Sequence, residues 1–158
     1  MAYKSLEACL QDLKANGQLV SVTEEVDPYL EMAAIHLRVH EAGGPALLFE
    51  NVKGSKFRAA SNIFGTLARS KFIFKDTLNI VQQLIALKNE PVKALKNPIK
   101  NMAVGLAALK ALPLKNPVNK PVLFQEISIS DIPQIQHWPM DGGAFVTLPQ
   151  VYTEDIDS

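Results

Sequence analysis

The sequence is poor in the residue types that build the simplest functional sites. Its 158 residues include one cysteine, one tryptophan and three histidines. A lone cysteine, Cys9, forms neither an internal disulfide nor a thiolate cluster. Its place on the apolar side of a predicted helix makes it a buried structural thiol. Long apolar runs are also missing. The longest stretch without a charged residue extends from Gly142 to Thr153 and contains Pro149, well short of the ~20 apolar residues that span a bilayer. Near the N-terminus Lys4 is followed by Glu7 and Asp12 rather than by an apolar block, so no secretory signal is visible and the expected location is cytoplasmic.

What is present is an ordinary globular composition, 47% hydrophobic and 20% charged, enough for one core domain with an appendage. The net charge of zero conceals a segregation. Residues 1–50 carry three basic and eight acidic side chains, residues 51–120 thirteen and two, and residues 121–158 none and six. The basic middle consists largely of spaced lysines, Lys88, Lys93, Lys96, Lys100, Lys110, Lys115 and Lys120. Between Lys75 and Lys120 there is no arginine to read base edges and no aromatic ring to stack on a base, so no nucleic-acid partner is expected. The lysines read as the solvated face of a helical arm. The functional alternative is contact of residues 88–120 with anionic headgroups, peripheral to the inner face of a membrane.

Local signals alternate between helix and strand. Ser5 caps a helix bearing Leu6, Cys9, Leu10 and Leu13, and Asn16-Gly17 stops it. Residues 18–23 alternate as a strand. Asp27-Pro28 predicts the start of a second helix, with proline at its first position, a stripe of Leu30, Ala33, Ala34 and Leu37, and termination at Gly43-Gly44-Pro45. Residues 46–49 and 57–64 read as strands joined by a turn at Lys53-Gly54-Ser55-Lys56. Asp76 is the expected cap of a helix carrying Leu78, Val81, Leu84 and Ile85. Pro91 and Pro98 divide the next stretch into short helical pieces up to Leu112. Residues 113–121 read as a linker, and residues 122–129 and 145–152 as further strands.

Residues with chemistry are few. His36 and His40 stand at the i, i+4 spacing of a helical metal pair, but Leu37 occupies the place where a zincin carries its glutamate, so the spacing reads as chance. His137 beside Trp138 is a candidate base with no recognisable nucleophile elbow around it. The pairs Gly43-Gly44 and Gly142-Gly143 lack phosphate-loop spacing and read as turns. Glu24-Glu25 and Glu154-Asp155 look like exposed loop charges. On residues alone the chain is an α/β domain without a visible active site.

Several stretches nevertheless resemble the N-terminal region of the UbiD family of decarboxylases. They are Ser5-Leu6-Glu7 through Asn16-Gly17-Gln18-Leu19, Glu24-Glu25-Val26-Asp27-Pro28, Glu31-Met32-Ala33-Ala34-Ile35, Gly44-Pro45-Ala46-Leu47-Leu48-Phe49, Asn62-Ile63-Phe64-Gly65, Ile132-Pro133 and the run from Trp138 through Asp141-Gly142-Gly143 to Pro149. The resemblance covers essentially the whole chain in order. It implies an α/β (α+β) fold: a small mixed sheet with flanking helices, then a helical arm and the first strands leading into a flavin-binding split barrel. In domain terms it implies an N-terminal domain with its arm over 1–112, a linker over 113–121, and over 122–158 strands that return to the sheet and begin the flavin domain.

Members of that family reversibly decarboxylate aromatic or α,β-unsaturated acids, such as a polyprenyl 4-hydroxybenzoate in ubiquinone or menaquinone-type biosynthesis. They use prenylated FMN with Mn2+ and K+. The family's Asn-x-Gly-x-Tyr-Arg strand, its metal-binding histidine and glutamate, and its catalytic arginine and glutamates have no match here, so the resemblance supplies no catalytic and no metal residue. What carries over is a pocket-approach strand, Gly142, Gly143, Phe145 and Thr147, as cofactor-binding candidates. The expectation is an N-terminal fragment of such a carboxy-lyase, inactive alone and holding no cofactor, from an enzyme that forms homo-oligomers at full length. The alternative is a non-catalytic accessory or assembly protein with the same fold.

Overall fold

The computed structural model describes residues 3–89, 106 and 126–146. It separates into two compact units, one comprising Met1–Cys9 with Leu67–Glu126 and the other Leu10–Thr66 with Ile127–Ser158.

The second unit contains the sheet. Strands β1 (Leu19–Val26), β2 (Ala46–Val52) and β3 (Ala59–Ser61) lie in the order β1-β2-β3. β1 and β2 are parallel, with Leu19 opposite Ala46 and Val22 opposite Phe49, while β2 and β3 are antiparallel. Helix α2 (Glu31–Glu41) makes the crossover between the parallel strands. The fold is thus the small mixed α/β sheet with flanking helices that the sequence implies. Its core is Val26, Met32, Leu47, Phe49 and Val52, with Val22, Ile35, Val39, Ala59 and Ile135 packed against it. Central β2 is apolar almost throughout because Ala46 to Phe49 are all buried. β1 runs three residues beyond the predicted strand. Its register slips between Val22 and Glu25, and Asn51 Nδ2 donates to the Thr23 carbonyl at 2.6 Å beside the resulting bulge.

Helix α1 (Leu6–Ala15) is capped as its sequence predicts, with the Ala8 amide donating to Ser5 Oγ, and Gly17 adopts φ 66° after it. The end of α2 follows a Schellman pattern. The Gly43 amide donates to the His40 carbonyl and the Gly44 amide to the Val39 carbonyl. Gly43 is left-handed, at φ 62°. Gly44 is needed for a different reason: a Cβ there would stand 2.9 Å from Val39 Cγ1 and 3.0 Å from the Val39 carbonyl oxygen.

The start of α2 departs from expectation. The helix begins at Glu31, not at Pro28. The intervening backbone is diverted to the distant 135–137 segment, where the Gln136 amide donates to the Pro28 carbonyl and the Leu30 amide to the Gln136 carbonyl. Asp27 acts one step outside the helix, accepting from the Tyr29 amide at 2.8 Å, while Glu31 accepts from the Asp27 amide at 2.7 Å. Leu30 is driven to φ 65°, a conformation costly for a branched side chain.

Other predicted elements are shorter or different. The strand over 57–64 contracts to Ala59–Ser61 because Asn62 turns left-handed, at φ 56°. Of the strand over 122–129, the described part is not extended pairing. Ile129–Asp131 is a 3-10 turn with a Ser128/Asp131 capping box, and Ser55 Oγ donates to the Asp131 carbonyl. Of the strand expected over 145–152, residues 147–152 lie outside the described residues, and Phe145 forms an isolated antiparallel bridge with Ile135.

In the first unit lie α3 (Leu67–Ile73), which the sequence reading does not anticipate, and α4 (Leu78–Asn89), which it does. Arg69 is buried, and desolvation lowers its pKa. The helical pieces and linker expected over 90–121 lie outside the described residues, apart from helical Leu106. Among the described residues no helix is long and apolar enough to cross a membrane.

The two glycines after α2 make separable predictions. Gly43→Ala is expected to lose about 1–2 kcal/mol through its backbone conformation, and Gly44→Ala about 1–3 kcal/mol through crowding. Urea unfolding of each variant measures the loss. A Gly44→Ala midpoint equal to that of the parent would show that Val39 yields without strain.

Candidate functional site

A cleft of about 410 Å3 opens in the sheet-containing unit between α2, the β3 end and the 135–137 segment. All three histidines line it, along with Phe49, Ser61, Asn62, Phe64, Gly65 and Ile135. No lysine, arginine or carboxylate is among its lining residues.

Asn62 organises this wall. Its Nδ2 donates to the carbonyl of Pro45 at 2.8 Å and that of Gly44 at 3.3 Å. Its Oδ1 is left to meet His40 Nδ1 at 3.2 Å. Because the amide nitrogen is committed to two carbonyls, the oxygen is the acceptor, and the network assigns the His40 proton to Nδ1. His40 Nε2 then carries a lone pair. Asparagine suits the left-handed backbone at position 62 better than most residues, and its side chain occupies the space that a side chain at position 65 would need. A Cβ on Gly65 would fall 1.8 Å from Asn62 Oδ1. This accounts physically for Asn62 and Gly65 in the Asn62-Ile63-Phe64-Gly65 stretch, which resemblance marked without assigning it a role.

His36 sits one helical turn before His40. The two rings are parallel within 6° with centroids 5.9 Å apart, and His36 Nδ1 bonds to Ser61 Oγ. The pKa of His36 is lowered, chiefly by burial and then by the neighbouring His40 and His137. The i, i+4 spacing read as chance from the sequence therefore places both rings in one cleft, each anchored at Nδ1. What the sequence lacks is any local sign of Ser61 and Asn62, more than twenty residues away, as their partners.

His137 reaches the same cleft from a tight turn. Asp141 Oδ2 accepts from the His137 amide at 3.1 Å and the Trp138 amide at 2.9 Å. Trp138 and Met140 are exposed on that turn. The candidate cofactor residues follow it. Phe145 is half exposed, paired with Ile135 and tilted against His137 with ring centroids 6.5 Å apart. Gly142 and Gly143 lie outside the cleft lining. A Cβ on either would meet nothing within 4 Å, and neither has positive φ, so nothing among the described residues demands glycine there. Thr147 lies outside the described residues. A flavin phosphate calls for cations or a metal. Residues 126–146 contain no lysine or arginine, and among the described residues no trio of histidine, cysteine or carboxylate could hold a metal.

The lowered pKa of His36 gives a pH prediction. Below the ordinary value of 6.5 the unfolded chain takes up a proton that the folded state resists. Stability from this group is therefore complete above that value and is lost as pH falls through the lowered one. Urea midpoints are expected to drop from about pH 7 to about pH 5, and to drop less in His36→Asn. An unchanged slope in the variant would contradict this origin.

Comparison with known proteins places the chain in a family. A model described as the 3-octaprenyl-4-hydroxybenzoate carboxy-lyase N-terminal domain matches residues 10–88, and one described as the Rift-related domain of the same carboxy-lyase matches residues 111–158. A protein of Chlamydia caviae without an assigned function is 39% identical over 165 residues, covering 100% of this chain and 28% of that one. A 4-hydroxybenzoate decarboxylase subunit of Chlamydia pneumoniae is 35% identical over 150 residues, covering 89% of this chain and 24% of that one. An evolved dimeric form of the UbiD-class enzyme HmfF from Pelotomaculum thermopropionicum, solved with prFMN, aligns with a TM-score of 0.50 at 26% identity, over 90% of this chain and 30% of that one. The chain thus spans roughly a quarter to a third of the length of the curated relatives it matches. With its N-terminal half and its final segment each matched in order by the family's own domains, the chain belongs to the UbiD family of carboxy-lyases.

Proposed function

We propose that this chain forms the N-terminal portion of a prenylated-FMN-dependent decarboxylase that reversibly removes the carboxyl group of an aromatic acid. A 4-hydroxybenzoate of the kind made in quinone biosynthesis is the substrate class in view. The observation that carries this reading is the ordered match of two successive carboxy-lyase domains to residues 10–88 and 111–158. The named relative from Chlamydia pneumoniae supports a hydroxybenzoate. The prFMN-bound relative from Pelotomaculum supports the cofactor, and its dimeric form supports assembly into oligomers.

The chemistry divides between the cofactor and the protein. Prenylated FMN supplies the electron sink for the departing carbon dioxide. This chain contributes a framed sheet and the 135–146 segment, which in this reading leads into the cofactor domain, with Gly142, Gly143, Phe145 and Thr147 on the approach to the pocket. The divalent metal, the potassium ion and the proton-donating glutamate belong to the rest of the enzyme. By itself the chain is expected neither to bind the flavin stoichiometrically nor to turn over an acid.

Two assays test this. The longer protein containing this chain, reconstituted with prenylated FMN, is expected to release carbon dioxide from 4-hydroxybenzoate or a related aromatic acid, and to exchange deuterium at the same ring carbon. Cofactor-loaded protein inert toward aromatic and α,β-unsaturated acids alike would contradict the activity. Turnover or stoichiometric flavin binding by residues 1–158 alone would contradict the division of labour.

A further inference from the structure

We propose that residues 135–137 form a pH-sensitive strap, docked on the entry to α2 near neutral pH and released when acid charges the three imidazoles that meet at that joint. The device does not depend on the proposed decarboxylation.

The joint is made of few bonds and holds a strained residue. Gln136 meets Tyr29 in an isolated parallel bridge. The Gln136 amide donates to the Pro28 carbonyl at 3.1 Å, and the Gln136 carbonyl accepts from the Leu30 amide at 3.1 Å. Ile135 adds packing against the core. Between these bonds Leu30 is held at φ 65°, a backbone region that a branched side chain keeps only when its surroundings impose it. The released state has a conformation of its own to adopt. Asp27-Pro28 is an N-cap carboxylate followed by a proline suited to the first helical position. Once Gln136 lets go, α2 can extend back to Pro28 with Leu30 in ordinary helical geometry. Two arrangements of residues 28–30 therefore compete, and the docked strap selects the strained one.

The imidazoles bias that competition. His36 and His40 line the cleft from α2, and His137 from the strap. The pKa of His36 is lowered by burial first, then by His40 and by His137. Against these rings β2 presents Phe49, while β3 and the turn after it present Ser61, Asn62 and Phe64, none of them charged. Asp141, the carboxylate that braces the strap, accepts from the His137 and Trp138 amides through Oδ2 and is not part of the cleft wall. A proton on the trio thus meets like charge and no lining carboxylate. Undocking takes His137 away from His36 and lets water into the cleft, so the released state takes up a proton that the docked state resists. Docking is therefore complete above the ordinary histidine value and is lost as pH falls through the lowered one, by up to about tenfold per pH unit for a single proton.

Amide hydrogen exchange read by NMR, corrected for the pH dependence of the intrinsic rate, tests the proposal. The Leu30 and Gln136 amides are expected to be less protected than those of β2 at pH 7, and their protection to fall about tenfold by pH 5. His137→Gln keeps the backbone of the strap but removes its imidazole, and is expected to flatten that fall severalfold. Leu30→Gly adopts a left-handed backbone freely and a helical one poorly, and is expected to raise protection of the Gln136 amide severalfold. Protection at the two amides that does not change with pH, that equals the protection of β2 throughout, or that falls equally in His137→Gln would overturn the proposal, as would a Leu30→Gly protein with no gain. Failure of the decarboxylation assay would leave this result untouched.

Discussion

The side-chain amide of Asn62 ties together three pieces of backbone. It accepts from the ring of His40 on α2, donates to the carbonyls of Gly44 and Pro45 where α2 gives way to β2, and sits at the left-handed residue that ends β3. Asn62 is buried, so these bonds replace water that the amide has lost. Leaving either end of a buried amide unpaired costs about 1–3 kcal/mol. The same residue dictates Gly65, sets the His40 tautomer and, with Ser61, lines the wall on which the cleft depends.

Around this clamp the fold follows from simple rules. Central β2 is apolar almost throughout and forms the core with Val26 and Met32. Paired glycines end α2 in complementary ways, one through conformation and one through space. The segment over 135–146 packs Ile135 against that core and brings His137 into the cleft, held by the carboxylate of Asp141. Nearby, Lys53 and Asp27 form an exposed ion pair at 2.7 Å. It lowers the pKa of Asp27, mainly through that side-chain hydrogen bond. Solvent screening makes it a minor contributor to stability.

What could be read from the sequence was local. The Ser5 cap, the Asn16-Gly17 stop, the Gly43-Gly44-Pro45 termination and the apolar run of β2 are each decided within a few residues, and each stands where its pattern placed it. The misplaced start of α2 depends on Gln136, more than a hundred residues away, which captures the backbone on either side of Tyr29. The contraction of β3 depends on a left-handed Asn62 whose partners are Gly44, Pro45 and His40. Short α3 carries too few turns for a periodic signal, and the described end of the strand expected over 122–129 gives way to a 3-10 turn that Ser128 and Asp131 cap. The candidate site suffered most. Spacing alone could pair His36 with His40, but not reveal that Ser61 and Asn62 aim them or that His137 joins them.

The tautomer of His40 in the unmodified protein measures the clamp most directly. Long-range proton–nitrogen NMR near neutral pH is predicted to show His40 protonated at Nδ1 with a bare Nε2, and Asn62→Ala is predicted to release that preference together with a loss of about 1–3 kcal/mol in urea unfolding. An Nε2-protonated His40 in the parent, or an Asn62→Ala protein with unchanged tautomer and stability, would contradict the account.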